Sequence, residues 1–484
     1  MQNLKEILYK VPIIDVIGST DVFIDAIAFD SRKVIDNTLF VAQKGAATDG
    51  HLYINKSIEL GAKVVICEIL PKKLQKEITY IQVSDSKLAL SFAAANFYDN
   101  PSQKLNLIGI TGTNGKTTLA SLSYELFQRA GFPSGLLSTV EIKIGTNTFP
   151  ATHTTPDALT INRLLAEMLD AGISHCFMEV SSHGIHQKRT ESLHFTGGVF
   201  TNLTHDHLDY HNTFAAYRDV KKTFFDQLPK TAFALVNSDD KNGMVMLQNT
   251  QAKKVTYALK TGADYKAKII ESQFEGLLLN INGQEVWSKL IGTFNAYNLL
   301  AIYGIADQLG LNQMEILRIM SELESVSGRF QYFISDGGVR AIIDYAHTPD
   351  ALKNVLQTIN DIRTNNEIVL TVVGCGGDRD KAKRPKMAQI ASQLSNQAIF
   401  TSDNPRTENP QTIIDEMEAG VSPENYKKTL SILDRKQAIK TAGKLTKKGD
   451  IVLIAGKGHE TYQEINGERF DFDDFKIAKE ILNS

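Results

Sequence analysis

Residues 107–120 read LIGITGTNGKTTLA: an apolar run, a glycine-rich turn, a lysine, two hydroxyls and a helix-forming stretch. That order suits phosphate chemistry. Glycines let backbone N–H groups close on phosphate oxygens, and the start of a helix adds partial positive charge. In such a loop Gly112, Thr113, Asn114 and Gly115 would form the cradle, Lys116 would cap the β/γ oxygens, Thr117 would ligand Mg²⁺, and Thr118 would follow in the first helical turn. The standard spacing asks for glycine at 110, where this chain has Ile110, so the core is the shorter Gly112-x-x-Gly115-Lys116-Thr117. A glycine turn before an exposed lysine would be the plainer account. Strand, loop and helix in the right order favour a nucleotide site.

A second cluster is rich in imidazole. Eight of the eleven histidines lie between 153 and 211. THDHLDYH at 204–211 falls one residue short of HxHxDH, with Tyr210 where the third histidine would stand. That set would suit a two-metal hydrolase that makes hydroxide on zinc. The alternative is a hard Mg²⁺ site with one histidine among oxygens, including Glu179 at the end of the strand HCFMEV; a phosphate loop upstream favours this second reading. His175 and His194 fit core histidines held by hydrogen bonds.

Near the carboxy terminus three apolar runs end in loops that could bind a charged ligand. VVG leads into Gly374-Cys-Gly-Gly-Asp-Arg379, FTS into Asp403-Asn404-Pro405-Arg406, and LIAG into Lys457-Gly-His-Glu460. Ligands of open α/β sheets sit at the carboxyl ends of strands, so these loops are expected to converge. They offer two guanidiniums and a carboxylate. Found alone, Asn-Pro-Arg would be a turn with a surface arginine.

The elements that must position these residues are legible as alternating strand and helix patterns. The chain has 484 residues, which at roughly 150 per domain suggests about three domains. Residues 1–102 alternate short β-rich runs (AIAFDS, TLFVAQ, AKVVICEI, ITYIQV) with helical pieces, and DNPSQK marks a break. Residues 103–330 show the strand–helix alternation of a parallel sheet, then a β-rich excursion (KAKIIES, GLLLNING, VWSKLIG). Residues 331–484 restart the pattern as a second, smaller doubly wound sheet. The expected class is α/β: a small α/β N-terminal domain, a central P-loop-type parallel sheet domain, and a C-terminal Rossmann-like domain.

Composition narrows the function. Lys and Arg number 52 against 55 Asp and Glu, a net charge of -3. That balance argues against a nucleic-acid partner or an anionic membrane surface. Ordinary apolar content, 42%, argues against disorder. Cys67, Cys176 and Cys375 form no CxxC pair, a pattern that fits a reducing compartment. MQNLKEILYKVP lacks the apolar core of a secretory signal, and no apolar run nears the roughly 18–20 residues of a membrane span. A cytoplasmic protein is the expectation.

Taken together the motifs resemble one family. TGTNGKTT, EVSSHG (179–184), TNLTHDHLDYH (201–211) and YRDVKKTFFD (217–226) look like the central domain of the Mur ligases. FDSRKV with LFVAQKGAATDGH, then GRF, DYAHTPDAL, GCGGDRDKAKRPKM, TSDNPRTE and AGKGHETYQ extend the likeness, in order, over nearly the whole chain. The DNPR motif is similar to that of members that add diaminopimelate, whereas lysine-adding relatives lack this arginine.

The resemblance implies ATP-dependent amide formation in peptidoglycan precursor synthesis: the D-Glu γ-carboxylate of UDP-MurNAc-L-Ala-D-Glu attacks the γ-phosphate, and an amino group captures the acyl phosphate. The acceptor would be meso-2,6-diaminopimelate, although the motifs fit the LL isomer equally. It also implies a monomer acting on small molecules. Glu179 and His207 would hold Mg²⁺, and Lys221 stands where family members carry a carbamylated lysine; taken alone, a Lys-Lys pair on a helix is an ordinary solvated face. Asn298, Arg329, Asp344 and His347 would contact ATP. Ser31, Thr154, Thr155, Ser181, Gln187 and Arg189 would contact the uridine-nucleotide substrate. Arg379, Asp403, Asn404, Pro405, Arg406, Gly456 and Glu460 would grip diaminopimelate. A folate or cyanophycin ligase would share the phosphate loop but not DNPR with the DSR domain; a zinc hydrolase would leave the loop idle. A non-catalytic nucleotide switch would bind ATP without releasing phosphate.

Overall fold

The computed structural model describes residues 1–45, 48–204, 206 and 208–483. Three sheets follow one another along the chain, each with its own apolar core. The first has five strands, β1 (Ile13–Ile17), β2 (Ala26–Ala28), β3 (Thr38–Val41), β4 (Ala62–Cys67) and β5 (Thr79–Val83), in the order β1-β5-β4-β3-β2. Helix α1 (Ser86–Phe97) covers one face, packing Ala89, Leu90 and Ala93 against Val64 and Ile81.

The central unit runs β6 (Asn106–Thr111), α2 (Lys116–Arg129), β7 (Ser134–Leu137), β8 (Glu141–Ile144), β9 (Asn147–Pro150), α3 (Ala158–Asp170), β10 (His175–Glu179), α4 (Ser182–His186), β11 (Gly197–Phe200) and α5 (Phe214–Asp226). It continues with β12 (Phe233–Asn237), β13 (Lys253–Ala258), β14 (Tyr265–Gln273), β15 (Gly276–Ile281), β16 (Gln284–Ser288), α6 (Thr293–Gln308) and α7 (Gln313–Glu322). These eleven strands form one sheet, β9-β8-β7-β10-β6-β11-β12-β13-β14-β15-β16. It is parallel from β7 through β14 and antiparallel at both ends. The β-rich excursion therefore extends the parallel sheet instead of standing apart, and the exposed hairpin β8–β9 is an addition that the sequence patterns did not reveal.

Helices cover both faces. α2, α6 and α7 bury Phe127, Leu299, Ile302 and Ile316 on one side, while α3 and α5 bury Ile161, Leu165, Phe224 and Phe225 on the other. Strand β6 lies at the centre, where the chain switches direction across the sheet: β10 pairs on one side of it and β11 on the other. Gly109 in β6 admits the aromatic layer, since a Cβ there would come within 2.6 Å of Phe224 and 2.7 Å of Phe195.

The third unit comprises β17 (Gln331–Ile334), β18 (Arg340–Asp344), α8 (Pro349–Ile362), β19 (Val369–Val373), α9 (Lys383–Leu394), β20 (Gln397–Phe400), α10 (Pro410–Glu418), β21 (Thr429–Ser431), α11 (Arg435–Leu445), β22 (Ile451–Ala455), a hairpin β23 (Tyr462–Ile465) and β24 (Glu468–Asp471), and α12 (Asp474–Leu482). Its sheet order is β17-β18-β22-β19-β20-β21, parallel apart from β17. β22 sits between β18 and β19, so the loops that follow these strands are neighbours at one sheet edge. Arg435 and Asp474, both fully buried, form a two-point ion pair (2.9 and 2.7 Å) that fastens α11 to α12.

Each sheet holds one thiol. Cys67 ends β4, Cys176 lies in β10 and Cys375 follows β19; all three are buried and free. Burial pushes Cys67 up to about 11 and Cys375 to about 12, and raises Cys176 further. Among the described residues no helix is long and apolar enough to cross a membrane.

Removing one member of a buried ion pair leaves an uncompensated charge and costs about 3–5 kcal/mol. Asp474→Asn is therefore expected to lower the denaturation midpoint of the C-terminal unit by that order, read in urea by circular dichroism. A change under 1 kcal/mol would mean that the pair does not hold α12 in place.

Candidate active site

The phosphate-loop residues stand at the carboxyl end of β6. Gly112 (φ +148°) and Gly115 (φ +86°) occupy backbone conformations that side chains disfavour, and a Cβ on Gly112 would fall 2.0 Å from Thr201 Oγ1. The segment after β11 braces the loop from the other side. Thr113 N–H donates to Asn202 O (2.8 Å), Asn114 N–H to Asn202 Oδ1 (3.0 Å), and Thr201 Oγ1–H to Asn114 O (2.6 Å). Lys116, Thr117 and Thr118 open α2, where the first-turn N–H groups have no carbonyl within the helix to meet.

Two ammonium groups converge here. Lys116 Nζ donates to Gly112 O (3.0 Å) and Thr113 O (2.8 Å); Lys221 Nζ donates to the same Gly112 O (3.0 Å) and to Thr111 Oγ1 (3.2 Å). Helical spacing explains the burial of Lys221, which is 1% exposed: Tyr217, Lys221, Phe224 and Phe225 form the inward face of α5, while Lys222 points outward to Asp226. Burial, reinforced by the charge on Lys116, holds the Lys221 amine well below the ordinary lysine range, against the pull of Asp206. Lys116 is lowered too, by burial, with Glu179 and Asp206 acting in the opposite direction.

Glu179, at the end of β10, is fully buried. Its Oε1 accepts from Thr139 N (2.7 Å), while Oε2 is buried without a hydrogen-bond partner. Thr117 Oγ1 accepts from Arg329 Nη2 (3.1 Å). An orphaned carboxylate oxygen close enough to act on Lys116, with the Thr117 hydroxyl in the same phosphate loop, fits a hard divalent cation, which prefers oxygen ligands. His207 lies outside the described residues. Among the described residues no cluster of three or more His, Cys, Asp or Glu side chains is arranged to hold a metal. His175 is a buried residue beside Phe127 and Phe132, lowered to about 4 by burial. His194 is exposed, contrary to its reading as a core residue, because it lies in the turn ahead of β11, outside both apolar layers.

The third unit meets the loop directly. Asn114 Nδ2 donates to Asp350 Oδ2 (3.0 Å) at the start of α8, and the Arg329 guanidinium lies 4.6 Å above the Tyr345 ring while reaching Thr117. Asn298 is buried on α6 beside Gly115, where a Cβ would meet its Oδ1 at 3.0 Å. Asp344, at the end of β18, accepts from Phe330 N (2.6 Å). Burial raises its carboxyl to about 6 despite Arg329 and nearby amides. His347 is lowered to about 4 by burial, with Lys383 adding to the effect and Asp206 opposing it. The expected nucleotide residues thus gather around the phosphate loop and the start of the third unit. Asp206, Asn202 and Asp350 join them there, and the only sequence signal for the first two was the TNLTHD run.

The expected substrate residues divide. Gln187 and Arg189 line a cleft of about 110 Å³ together with Phe29, Gln43, Lys87 and Asp157, between the first and central units. Ser31 is buried two residues beyond Phe29. Thr155 accepts from Ser181 N (3.0 Å) and donates to Glu179 O (2.8 Å), and Thr154 meets Thr139 (3.0 Å). Ser181 Oγ caps α4 through Gly184 N (3.1 Å). The Arg189 guanidinium is held by Gln187 Oε1 (2.7 Å) and Thr155 O, not presented as an open fork.

The three C-terminal loops do converge. Asn404 Nδ2 donates to Glu460 Oε2 (2.7 Å), and a Cβ on Gly456 would fall 2.6 Å from Asp403 Oδ2. Pro405 is buried, its carbonyl directly over Gly377. Arg406 has a left-handed backbone (φ 53°) clamped by the unforeseen β23–β24 hairpin, through Arg406 N–H to Glu464 O (3.0 Å) and Asn466 N–H to Arg406 O (2.7 Å). Its guanidinium donates to Gly377 O (2.7 Å). Arg379 is exposed and meets only Asp378 O (3.3 Å) among the described residues.

Similarity to known proteins covers all three units. Family models match at residues 23–98 (Mur ligase family, catalytic domain), 110–306 (Mur ligase middle domain) and 328–458 (Mur ligase, glutamate ligase domain). A protein of Cytophaga hutchinsonii named UDP-N-acetylmuramoyl-L-alanyl-D-glutamate--2,6-diaminopimelate ligase is 55% identical over 483 residues, 100% of this chain and 99% of its own. One of the same name from Bacteroides fragilis is 52% identical, covering 99% of each chain. A solved structure bearing that enzyme name superposes with a TM-score of 0.70 at 33% identity over 99% of this chain and 98% of its own. The MurF ligase of Thermotoga maritima in complex with ADP shares the fold (TM-score 0.62, 18% identity, 95% and 97% covered).

A buried carboxyl raised from 3.8 to about 6 stabilises the folded state while protonated; that contribution is full below pH 3.8 and lost as pH rises through about 6. Asp344→Asn should remove up to about 3 kcal/mol of pH dependence between pH 4 and 7. Parallel stability–pH curves for the two proteins in urea titrations would show that Asp344 does not titrate there.

Proposed function

The chain belongs to the Mur ligase family, and from that membership we propose that it joins meso-2,6-diaminopimelate to the D-Glu γ-carboxylate of UDP-MurNAc-L-Ala-D-Glu, hydrolysing ATP to ADP through an acyl phosphate in peptidoglycan precursor synthesis. The observation that carries this reading is the meeting of the Asp403–Arg406 and Gly456–Glu460 loops in a unit whose Asn114–Asp350 and Arg329–Thr117 contacts bring it against the phosphate loop.

The chemical difficulty is to bring a carboxylate onto a polyanion. Two like unit charges at 4 Å repel by about 4 kcal/mol at an effective dielectric of 20. Lys116 supplies one neutralising charge once phosphate oxygens replace the loop carbonyls it now meets. Bound Mg²⁺ would supply the rest of the neutralisation, held by Thr117, Glu179, His207 and Lys221. In that role Lys221 reacts as a neutral amine: its lone pair attacks CO₂, an N–C bond forms, one C=O π pair moves to oxygen, and the displaced N–H proton leaves to solvent. The resulting carbamate turns a like-charge contact with Lys116 into an attraction. Asn298, Arg329, Asp344 and His347 line the nucleotide cleft, and Arg329 beside Tyr345 offers a flat cationic surface to it.

The uridine nucleotide would rest on residues 1–102 near Ser31, with its peptide end passing Thr154, Thr155, Ser181, Gln187 and Arg189 toward residues 103–330. Diaminopimelate would lie in residues 331–484, its distal carboxylate on Arg406 with Arg379 assisting, and an ammonium on Asp403, Asn404 and Glu460. Lysine would leave Arg406 desolvated and unpaired, and sites built around a polar partner can reject such analogues by roughly 10⁴–10⁵. We place the enzyme in the cytoplasm, as a monomer.

ADP release with the muramoyl-dipeptide nucleotide should require diaminopimelate and fail with lysine or ornithine; equal rates with all three would refute the specificity. Lys221→Ala should abolish turnover and regain part of it with short carboxylic acids, and an absence of rescue would count against the carbamate. Arg406→Ala, losing a charged hydrogen bond of about 1.5–3 kcal/mol, should raise the diaminopimelate KM about 10–100-fold while leaving the ATP KM unchanged.

A further inference from the structure

Resting on the amino-acid site just proposed, we infer that Lys457 is a positioning residue of that site: its buried side chain bridges Asn404 Oδ1 and Glu460 Oε2 and holds the Glu460 carboxylate where it would meet the substrate ammonium. In the sequence Lys457 opens the Lys457-Gly-His-Glu460 loop without an assigned role. The structure gives it 0% exposure. Its Nζ donates to Asn404 Oδ1 (3.0 Å) and Glu460 Oε2 (3.1 Å) and lies 5.5 Å from the centre of the Tyr462 ring. A buried ammonium is expensive unless its protons are matched, so a lysine here points to a task that an apolar residue cannot perform.

That task follows from the bonds. The Asn404 carbonyl oxygen takes Lys457 and Glu464 N–H (2.9 Å), which leaves its NH₂ to donate to Glu460 Oε2 (2.7 Å). Lys457 is the second donor to the amide oxygen and reinforces the orientation that Glu464 N–H and Glu460 Oε2 also select. Both contacts to Glu460 fall on Oε2, so Oε1 is the oxygen left to meet an ammonium. The groups that face Glu460 are Asp403 from the loop after β20, Tyr345 after β18, Tyr462 in β23, the buried Arg435 of α11, and Lys457 itself. Burial raises the Glu460 carboxyl, Asp403 raises it further, and Lys457 is the cation that opposes them. Loss of Lys457 would raise it again, so that more of it is protonated as pH falls.

The test measures the diaminopimelate KM of the full chain between pH 6.5 and 8.5. Lys457→Gln and Lys457→Met are both read, so that misfolding of one does not remove the test, beside Lys457→Arg and the double variant with Glu460→Gln. The neutral variants should raise KM roughly tenfold or more at pH 6.5, with the excess shrinking toward pH 8.5 and the ATP KM unchanged. Lys457→Arg should retain a flat profile, and Glu460→Gln should abolish the pH dependence of the neutral variants. An excess that is equal at both pH values, or that appears in the ATP KM as well, would reduce Lys457 to a structural lysine and overturn the proposal. If the wild type gives no diaminopimelate-dependent ADP, the underlying substrate assignment fails; if it does and the neutral variants match it, Lys457 alone is refuted.

Discussion

One carbonyl oxygen, that of Gly112, receives hydrogen bonds from two lysines. Two ammonium groups so close, one of them almost wholly out of water, cannot both be comfortable as cations. Lys116 sits at a helix start beside Glu179 and Asp206 and has acidic company. Lys221 is deeper and flanked by Tyr217, and its burial, with the charge on Lys116, disfavours its charged form. The crowding around this oxygen and the burial of Lys221 both favour a neutral amine there, unlike an ordinary surface lysine. Nearby, one oxygen of the buried Glu179 carboxyl has no hydrogen-bond partner.

Everything else in the fold brings other groups to this point. The central sheet changes direction at β6, which leaves a crevice at its carboxyl edge. The C-terminal sheet does the same around β22, and its Asp350 and Arg329 contacts turn that edge toward the first. The two sites are thus built by a common rule in two separate sheets. What differs is the chemistry of the loops: glycines and hydroxyls in one, guanidiniums, an amide and carboxylates in the other.

Much of this was legible in the residues. Long apolar runs marked the parallel strands, and the glycine–lysine–threonine turn marked the loop between β6 and α2. The short amphipathic pieces were harder. β1, β9 and the β23–β24 hairpin carry mostly exposed side chains, so no buried pattern announces them, although β23 fixes the backbone of Arg406. Lys221 could have been recognised from its place in the 217, 221, 224, 225 spacing, which the adjacent Lys222 obscured. Asp206 and Asn202 act on groups distant in sequence, as Lys457 does on Asn404, and a single chain carries no local mark of such pairings. His194 was misread for a related reason: residue type alone does not reveal which side of a strand boundary a side chain occupies.

The three thiols acquire a meaning from where they lie. Each sheet shields one sulfur from solvent, and each shield keeps that sulfur in its unreactive protonated form. An alkylating reagent therefore reaches each thiol only where the structure around that sulfur has opened. The chain carries, in effect, a separate chemical clock for the integrity of each of its three lobes, readable by mass without any engineered tag.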